Sequence, residues 1–255
     1  MNTLVCIKRV PDTGARFALT SDGQDIDSRN LEFTISPHEE CAIEEAIRIQ
    51  EKYGGNTWVL TLGPEAAAEQ IREALAKGID RGVLLETDGT EWDSQSTSQA
   101  IVNAIKSIEE SGAKIDLVLF GNESADSGDY QVGVRVAAAI DWPCITGIKA
   151  IEFQDPQIIA KREAPGGWEV FRLDLPVVLA VREGINMPRH PSLRGIMTSK
   201  KKEIARVKPV KPAQMLIKRK LRKPQEKSGE VQILGHGREA VPAVLAKLKE
   251  LGVLS

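Results

Sequence analysis

Residues 116–140 read DLVLFGNESADSGDYQVGVRVAAAI, and the order strand, polar glycine-punctuated loop, helix within them decides the fold. Asp116 to Phe120 form an apolar strand, and Gln131 to Ile140 follow as a helix. At the carboxyl end of a strand in an open α/β sheet, such a loop turns backbone N–H groups and a helix N-terminus toward anions. A nucleotide cradle is one reading of it. Ser, Asp and Gly are also ordinary formers of a solvated turn, and composition by itself fits that reading slightly better.

Working outward toward the amino terminus, strands and helices alternate. Leu4-Val5-Cys6-Ile7 is a short buried strand. Ser36, Pro37 and Glu39 make a capping box with proline at the first helical position. Ala42, Ile43, Ala46, Ile47 and Ile49 then recur at helical spacing until Gly54-Gly55. A strand over 57–62, a Gly63-Pro64 turn, a helix over 65–77, a strand over 82–86 and a helix from about 94 to 111 repeat the unit. This alternation predicts right-handed crossovers and a mainly parallel, doubly wound α/β sheet. Toward the carboxyl terminus, residues 158–163 and 168–173 alternate apolar and polar around Pro165-Gly166-Gly167, which predicts a β-hairpin. Pro176 to Val181 is a continuous apolar run, expected as a strand buried on both faces. Residues 183–230 are rich in Pro, Lys and Arg and read as an extended arm, mobile or laid along a partner. Helical periodicity resumes at residues 239–252. The expected division is therefore a nucleotide-binding α/β domain with its hairpin over 1–182, a partner-recognition loop and extended arm over 183–235, and a docking helix over 236–255.

The 255 residues carry a formal net charge of −2, with 42% hydrophobic and 27% charged residues, the composition of an ordinary globular domain. No apolar run approaches the roughly 20 residues that span a bilayer. The amino terminus lacks the pattern of a secretory signal, and the chain is expected to be soluble and cytoplasmic, with no direct membrane insertion. Cys6, Cys41 and Cys144 lie far apart and without histidines at ligand spacing, so neither a disulfide framework nor a metal site is expected. No nucleophile–base pair stands out, and no catalytic side chain is assigned. Asp126 and Asp129 could act as acid or base, or bind Mg²⁺, although loop solubility accounts for them too. The basic runs at 200–202 and 218–223 lack interleaved aromatics, so they read as partner-facing rather than as nucleic-acid contacts.

The order of motifs KREAPGG at 161–167, RLDLPVV at 172–178 and NMPRHPSLRGIMTSKKK at 186–202 resembles the beta subunit of electron transfer flavoprotein. The likeness runs from VCIKRV at 5–10 through AIEEA at 42–46, ALAKGIDRG at 74–82 and DWP at 141–143 to LAKLKE at 245–250, nearly the whole chain. The resemblance implies a heterodimer with an alpha subunit that carries most of the FAD site. It accepts electrons from acyl-CoA or related dehydrogenases in fatty acid β-oxidation and passes them to a quinone oxidoreductase. It also implies an AMP in this subunit, contacted by Cys6, Ser36, Pro37, His38, Glu39, Leu62 and the loop of Gly121, Asn122, Glu123, Ser124, Ala125, Asp126, Ser127, Gly128, Asp129, Tyr130, Gln131 and Val132. Leu193 matches the apolar anchor of the loop that docks on dehydrogenases. Glu163 matches a position near the partner's flavin domain, and is expected to tune the flavin or its domain's orientation. Some relatives with a Gly-Asp pair in the loop hold a second FAD in place of AMP and bifurcate electrons from NADH. Gly128-Asp129 followed by Gln131-Val132-Gly133 partly resembles them, while Tyr130 and the lack of a proline after Gly133 depart. AMP is the expected occupant, with a second FAD as the alternative. A free-standing nucleotide-binding regulator would need neither the basic arm nor the terminal helix.

Overall fold

Successive side chains of the central strands point to opposite faces of the sheet, and in this chain both sets are apolar, so the sheet has to be covered on two sides. The computed structural model describes residues 1–154, 157–213, 215–224 and 231–254. β1 (Thr3–Cys6) leads through the short antiparallel pair β2 (Arg9–Pro11) and β3 (Phe33–Ile35) to α1 (Pro37–Tyr53). Then come β4 (Thr57–Gly63), α2 (Ala68–Lys77), β5 (Arg81–Glu86), α3 (Ser94–Glu110), β6 (Leu117–Gly121) and α4 (Val132–Ile140). β7 (Cys144–Gln154), β8 (Gln157–Ala164), β9 (Gly167–Asp174) and β10 (Val177–Val181) precede α5 (Leu193–Ser199), β11 (Ile204–Val207) and α6 (Val241–Glu250).

Among the described residues, nine strands join in the order β11-β5-β4-β1-β6-β10-β7-β8-β9. The strands from β11 to β7 are parallel, and β8 and β9 add an antiparallel edge. Val5, Val59, Leu84, Leu119 and Leu179 face α1 and α2 through Ile43, Ile47, Ile71 and Leu75. Leu4, Leu60, Leu85, Val118 and Val178 face α3 and α4 through Ile101, Ile105, Val136 and Ala137. Each such aliphatic side chain contributes about 1.5–3 kcal/mol by leaving water. The doubly wound fold expected from the alternation is thus present. From β1 the chain builds outward through β4 and β5, then returns to lay β6 on the other side of β1. Strand order reverses there, opening a crevice outside the carboxyl ends of β1 and β6.

The hairpin forms with Ala164 paired to Gly167 and Pro165-Gly166 at its tip, and every residue of β10 is buried. Two strands of the nine-stranded sheet were not anticipated. β7 follows DWP directly and mixes apolar with polar positions, while β11 hides inside the basic stretch and gains its place only by pairing with β5. Residues 193–199 are helical rather than loop, with the Ser192 side chain accepting the Gly195 N–H at 3.0 Å as an N-cap. The chain forms two compact units, Met1–Lys220 and Leu221–Ser255, so residues 183–220 of the expected arm pack with the α/β body. Their basic side chains make internal contacts. Lys202 Nζ donates to the Ile79 carbonyl at 2.5 Å, Arg72 donates to the carbonyls of Ser199 and Lys202, and Lys218 pairs with Asp25 and Glu91. Residues 214 and 225–230 of that arm lie outside the described residues. In the second unit α6 buries none of its residues, and Val241, Val244 and Leu245 are exposed. Among the described residues no helix is long and apolar enough to cross a membrane.

Asp93 joins the arm to the body. One carboxylate oxygen caps α3 by accepting the Ser96 N–H at 2.7 Å, and the other accepts the N–H groups of Met215 at 2.7 Å and Leu216 at 2.9 Å. Desolvation opposes the charge, yet these donors outweigh it and hold the carboxyl well below the usual carboxylate range. Asp93→Ala is expected to destabilise the subunit by about 1–2 kcal/mol in chemical denaturation at neutral pH. Because the folded pKa is depressed, that difference begins to shrink once the pH falls below about 4, where the unfolded chain's carboxyl protonates, and it vanishes below the folded pKa.

Candidate functional site

β1, β6 and β10 end side by side, and the segment leaving each of them meets the first turn of α1. Gly121 makes this possible, because a Cβ there would stand 2.7 Å from Glu39 Cγ and 3.1 Å from both the Glu39 nitrogen and His38 Cβ. Behind it, Asn122 is fixed by its N–H to the Val181 carbonyl at 2.8 Å and by its side-chain oxygen, which accepts the Gly147 N–H at 2.8 Å. The loop then encloses a cavity of about 350 Å³ lined by Thr13, Ser36, Pro37, His38, Glu123 to Gly128, and Glu183. Roughly 300–1,000 Å³ is the usual range of small-ligand sites.

Charge inside this cavity is balanced across the chain. Lys8, just past β1, forms an ion pair with Asp126 at 2.6 Å and donates to Ser127 Oγ at 3.3 Å. His38 Nε2 lies 3.3 Å from Glu123 Oε1. Glu39 points back beneath the loop, where its carboxylate accepts the Lys8 backbone N–H at 2.9 Å. Desolvation outweighs that bond and pushes the Glu39 pKa up to about 8. The same burial, with the Glu39 charge as a second cause, drives the Cys6 thiol far above its ordinary value, so Cys6 holds its proton and packs as an apolar residue.

The expected capping box is only partly formed. Ser36 is the N-cap and Pro37 takes the first helical position, but the Ser36 hydroxyl caps nothing. It lies next to the Glu39 carboxylate, yet with no partner at hydrogen-bonding geometry, although Ser36 is fully buried. The cavity is bordered instead by the N-terminus of α1, a place that favours an anion.

The remaining site residues divide between the two faces of the sheet edge. Ser36 to Glu39 and Glu123 to Gly128 gather on the α1 side, whereas Cys6 and Leu62 pack into the cluster under α3 and α4. Asp129 accepts a hydrogen bond from Ser94 Oγ at 2.9 Å, at the start of α3, and Gln131 takes two hydrogen bonds from Arg135. Between them Tyr130 is 56% exposed and adopts a left-handed φ of +57°, a backbone conformation unusual for an aromatic residue. Val132 opens α4. Glu163 lies outside the cavity, on β8, paired with Lys149 at 3.2 Å. Leu193 is the first residue of α5 and is 83% exposed. Reading the sequence missed Thr13 and Glu183 as cavity residues. Glu183 reaches the loop only because β10 lies beside β6.

The model of one family, described as "Electron transfer flavoprotein domain", matches residues 25–212. The chain is also similar to the electron transfer flavoprotein subunit beta of Bacillus subtilis (strain 168), with 39% identity over 206 residues, 80% of this chain and 77% of that protein. The chain belongs to the electron transfer flavoprotein beta-subunit family. Two further members of the family show the same likeness. The subunit beta of Mycobacterium tuberculosis (strain ATCC 25618 / H37Rv) is 37% identical over 209 residues, 80% of this chain and 77% of that protein, and that of Homo sapiens is 31% identical over 257 residues, 99% of this chain and 98% of the human one. In this electron transfer flavoprotein chain the matched span includes α1, the cavity loop, Glu163 and Leu193.

The elevated Glu39 pKa has a measurable consequence. A carboxyl whose pKa is higher folded than unfolded keeps its proton in the folded state after the unfolded chain has lost it, so stability falls as pH rises from about 4.5 to about 8. Glu39→Gln keeps an acceptor for the Lys8 N–H and removes the ionisation. It should denature like the parent at pH 4 and prove more stable at pH 8 by on the order of a few kcal/mol.

Proposed function

We propose that the chain is the beta subunit of a heterodimeric electron transfer flavoprotein and holds AMP in the cavity between α1 and the Glu123–Gly128 loop. The observation that carries this reading is the cavity itself. Its volume of about 350 Å³ falls within the range of small-ligand sites, and the α1 N-terminus offers a positive dipole end to a phosphate. Gly128-Asp129 followed by Gln131-Val132-Gly133 is the feature of the loop that fits the second-FAD alternative. The Lys8–Asp126 pair offsets the Asp126 charge near a bound phosphate.

The redox chemistry belongs to the FAD held chiefly by the alpha subunit, a group that exchanges electrons singly or in pairs. This chain's residues dock and orient. α6, with none of its residues buried, is the element offered to the alpha subunit. Leu193, exposed beside Met187 and Met197, is the apolar anchor for acyl-CoA or related dehydrogenases. Glu163 stands half-exposed near the turn of the hairpin and orients the partner's flavin domain by charge. Electrons then pass to a quinone oxidoreductase.

Two experiments test this reading. Nucleotides extracted from the complex purified with its alpha subunit should be FAD and AMP in equal amounts. Two FAD per complex would establish the bifurcating alternative, and a stable lone chain carrying only an adenine nucleotide would point to a regulator instead. Leu193→Ala should raise the KM for a dehydrogenase partner about tenfold or more, the loss expected from one hot-spot side chain, while the flavin spectrum stays unchanged. Unaltered kinetics would remove Leu193 from the docking site.

A further inference from the structure

His38 joins two parts of the molecule that the proposed function treats separately. Its ring is mostly buried, with 16% of the side chain exposed, in the first turn of α1. Nδ1 accepts the backbone N–H of Glu183 at 2.7 Å, while Nε2 faces Glu123 Oε1 at 3.3 Å. Since Nδ1 is the acceptor, the neutral ring carries its proton on Nε2 and donates to Glu123. Both nitrogens are therefore committed, one to the cavity loop and the other to the segment that leaves β10. A ring turned over by half a rotation would put carbon where each nitrogen stood. The contact is all-or-none.

The segment beginning at Glu183 runs along α1 to α5 and is pinned to α1 twice more. Asn186 Nδ2 donates to the Cys41 carbonyl and to Glu45, both at 2.9 Å. Arg189 forks onto buried Glu44 at 2.8 and 3.1 Å and onto Glu51 at 2.6 and 3.0 Å. Three residues later Ser192 caps α5, whose Gly195 packs so close to α2 that a Cβ would stand 2.2 Å from the Ala76 carbonyl. From His38 to Leu193 each link is a hydrogen bond, an ion pair or a short run of chain on one rigid helix.

We propose that His38 is a positioning residue that couples occupancy of the nucleotide cavity to the order of the segment leading into α5 and Leu193. The inference rests on the AMP reading above. A nucleotide filling the cavity fixes Glu123 and packs against the imidazole. The ring, so oriented, holds the Glu183 N–H and sets the start of the segment that ends in Leu193. With the cavity emptied, Glu123 is released, the ring loses its donor contact, and Glu183 to Asn186 open more often.

Backbone amide hydrogen exchange over residues 183–192 tests this in the two-subunit complex, compared as purified with AMP and after AMP is dialysed away. In the parent, removal of AMP should speed exchange there about tenfold, the change expected from losing one net hydrogen bond of local stability. His38→Phe removes both contacts and should exchange at one rate with or without AMP. His38→Asn keeps an acceptor for Glu183 but cannot reach Glu123, and His38→Gln keeps the reach to Glu123 but not the Glu183 acceptor. Each half-clasp should also lose the AMP dependence, which a merely structural histidine would not do. The parent's difference persisting in His38→Phe, or no difference in the parent, would overturn the coupling while leaving AMP in place. A complex that carries no AMP at all would overturn the cavity assignment, and the coupling with it.

Discussion

A hydrogen atom at Gly121, where any other residue carries a carbon, lets the end of β6 rest on the first turn of α1, and the cavity depends on that approach. Once α1 and β6 are in contact, the loop from Asn122 onward has to cross the helix N-terminus. Its small and polar residues then form one wall while Ser36 to His38 form the other. Moving α1 away by the width of one methyl group would separate Glu39 from the Lys8 N–H and His38 from Glu123. The doubly wound sheet supplies the crevice, and this one close contact shapes it.

Electrostatics in the crevice depend on how much water each group keeps. Glu39 has the least and is pushed toward neutrality, Asp126 is only partly buried and stays ionised beside Lys8, and Cys6 keeps its proton below them. The cavity thereby places its carboxylates against partners and leaves the helix end at its wall. That division suits a ligand with both anionic and hydroxyl groups, as a nucleotide has. Binding there needs no catalytic side chain from this subunit.

Much of the architecture is legible in local pattern. Helical spacing from Ala42 to Ile49, the continuous apolar run of β10 and the Pro165-Gly166 turn each act over a few residues, and each forms where expected. β11 is not legible in this way, because Ile204 to Val207 become a strand only by pairing with β5, more than a hundred residues earlier. The basic stretch around it reads as a solvated arm, since nothing local announces that Lys202 caps the end of α2 or that Arg72 holds the carbonyls of α5. The Ser36 capping box stays incomplete for a related reason. Its residues are all present, but Glu39 is drawn to Lys8, a partner thirty-one residues away in the chain.

Family membership and the order of strands and helices lay in the residues themselves, because both arise from short-range chemistry: periodic burial, turn formers and motifs of fixed spacing. Which residues share the cavity was settled by folding. Thr13, His38, Glu123 and Glu183 are separated by up to 170 positions, the span from 13 to 183, and they meet because parallel strands deliver distant segments to one edge of a sheet. Cys6 and Leu62 end on its other face, since a strand sends neighbouring side chains to opposite sides and no motif records which side will hold the ligand.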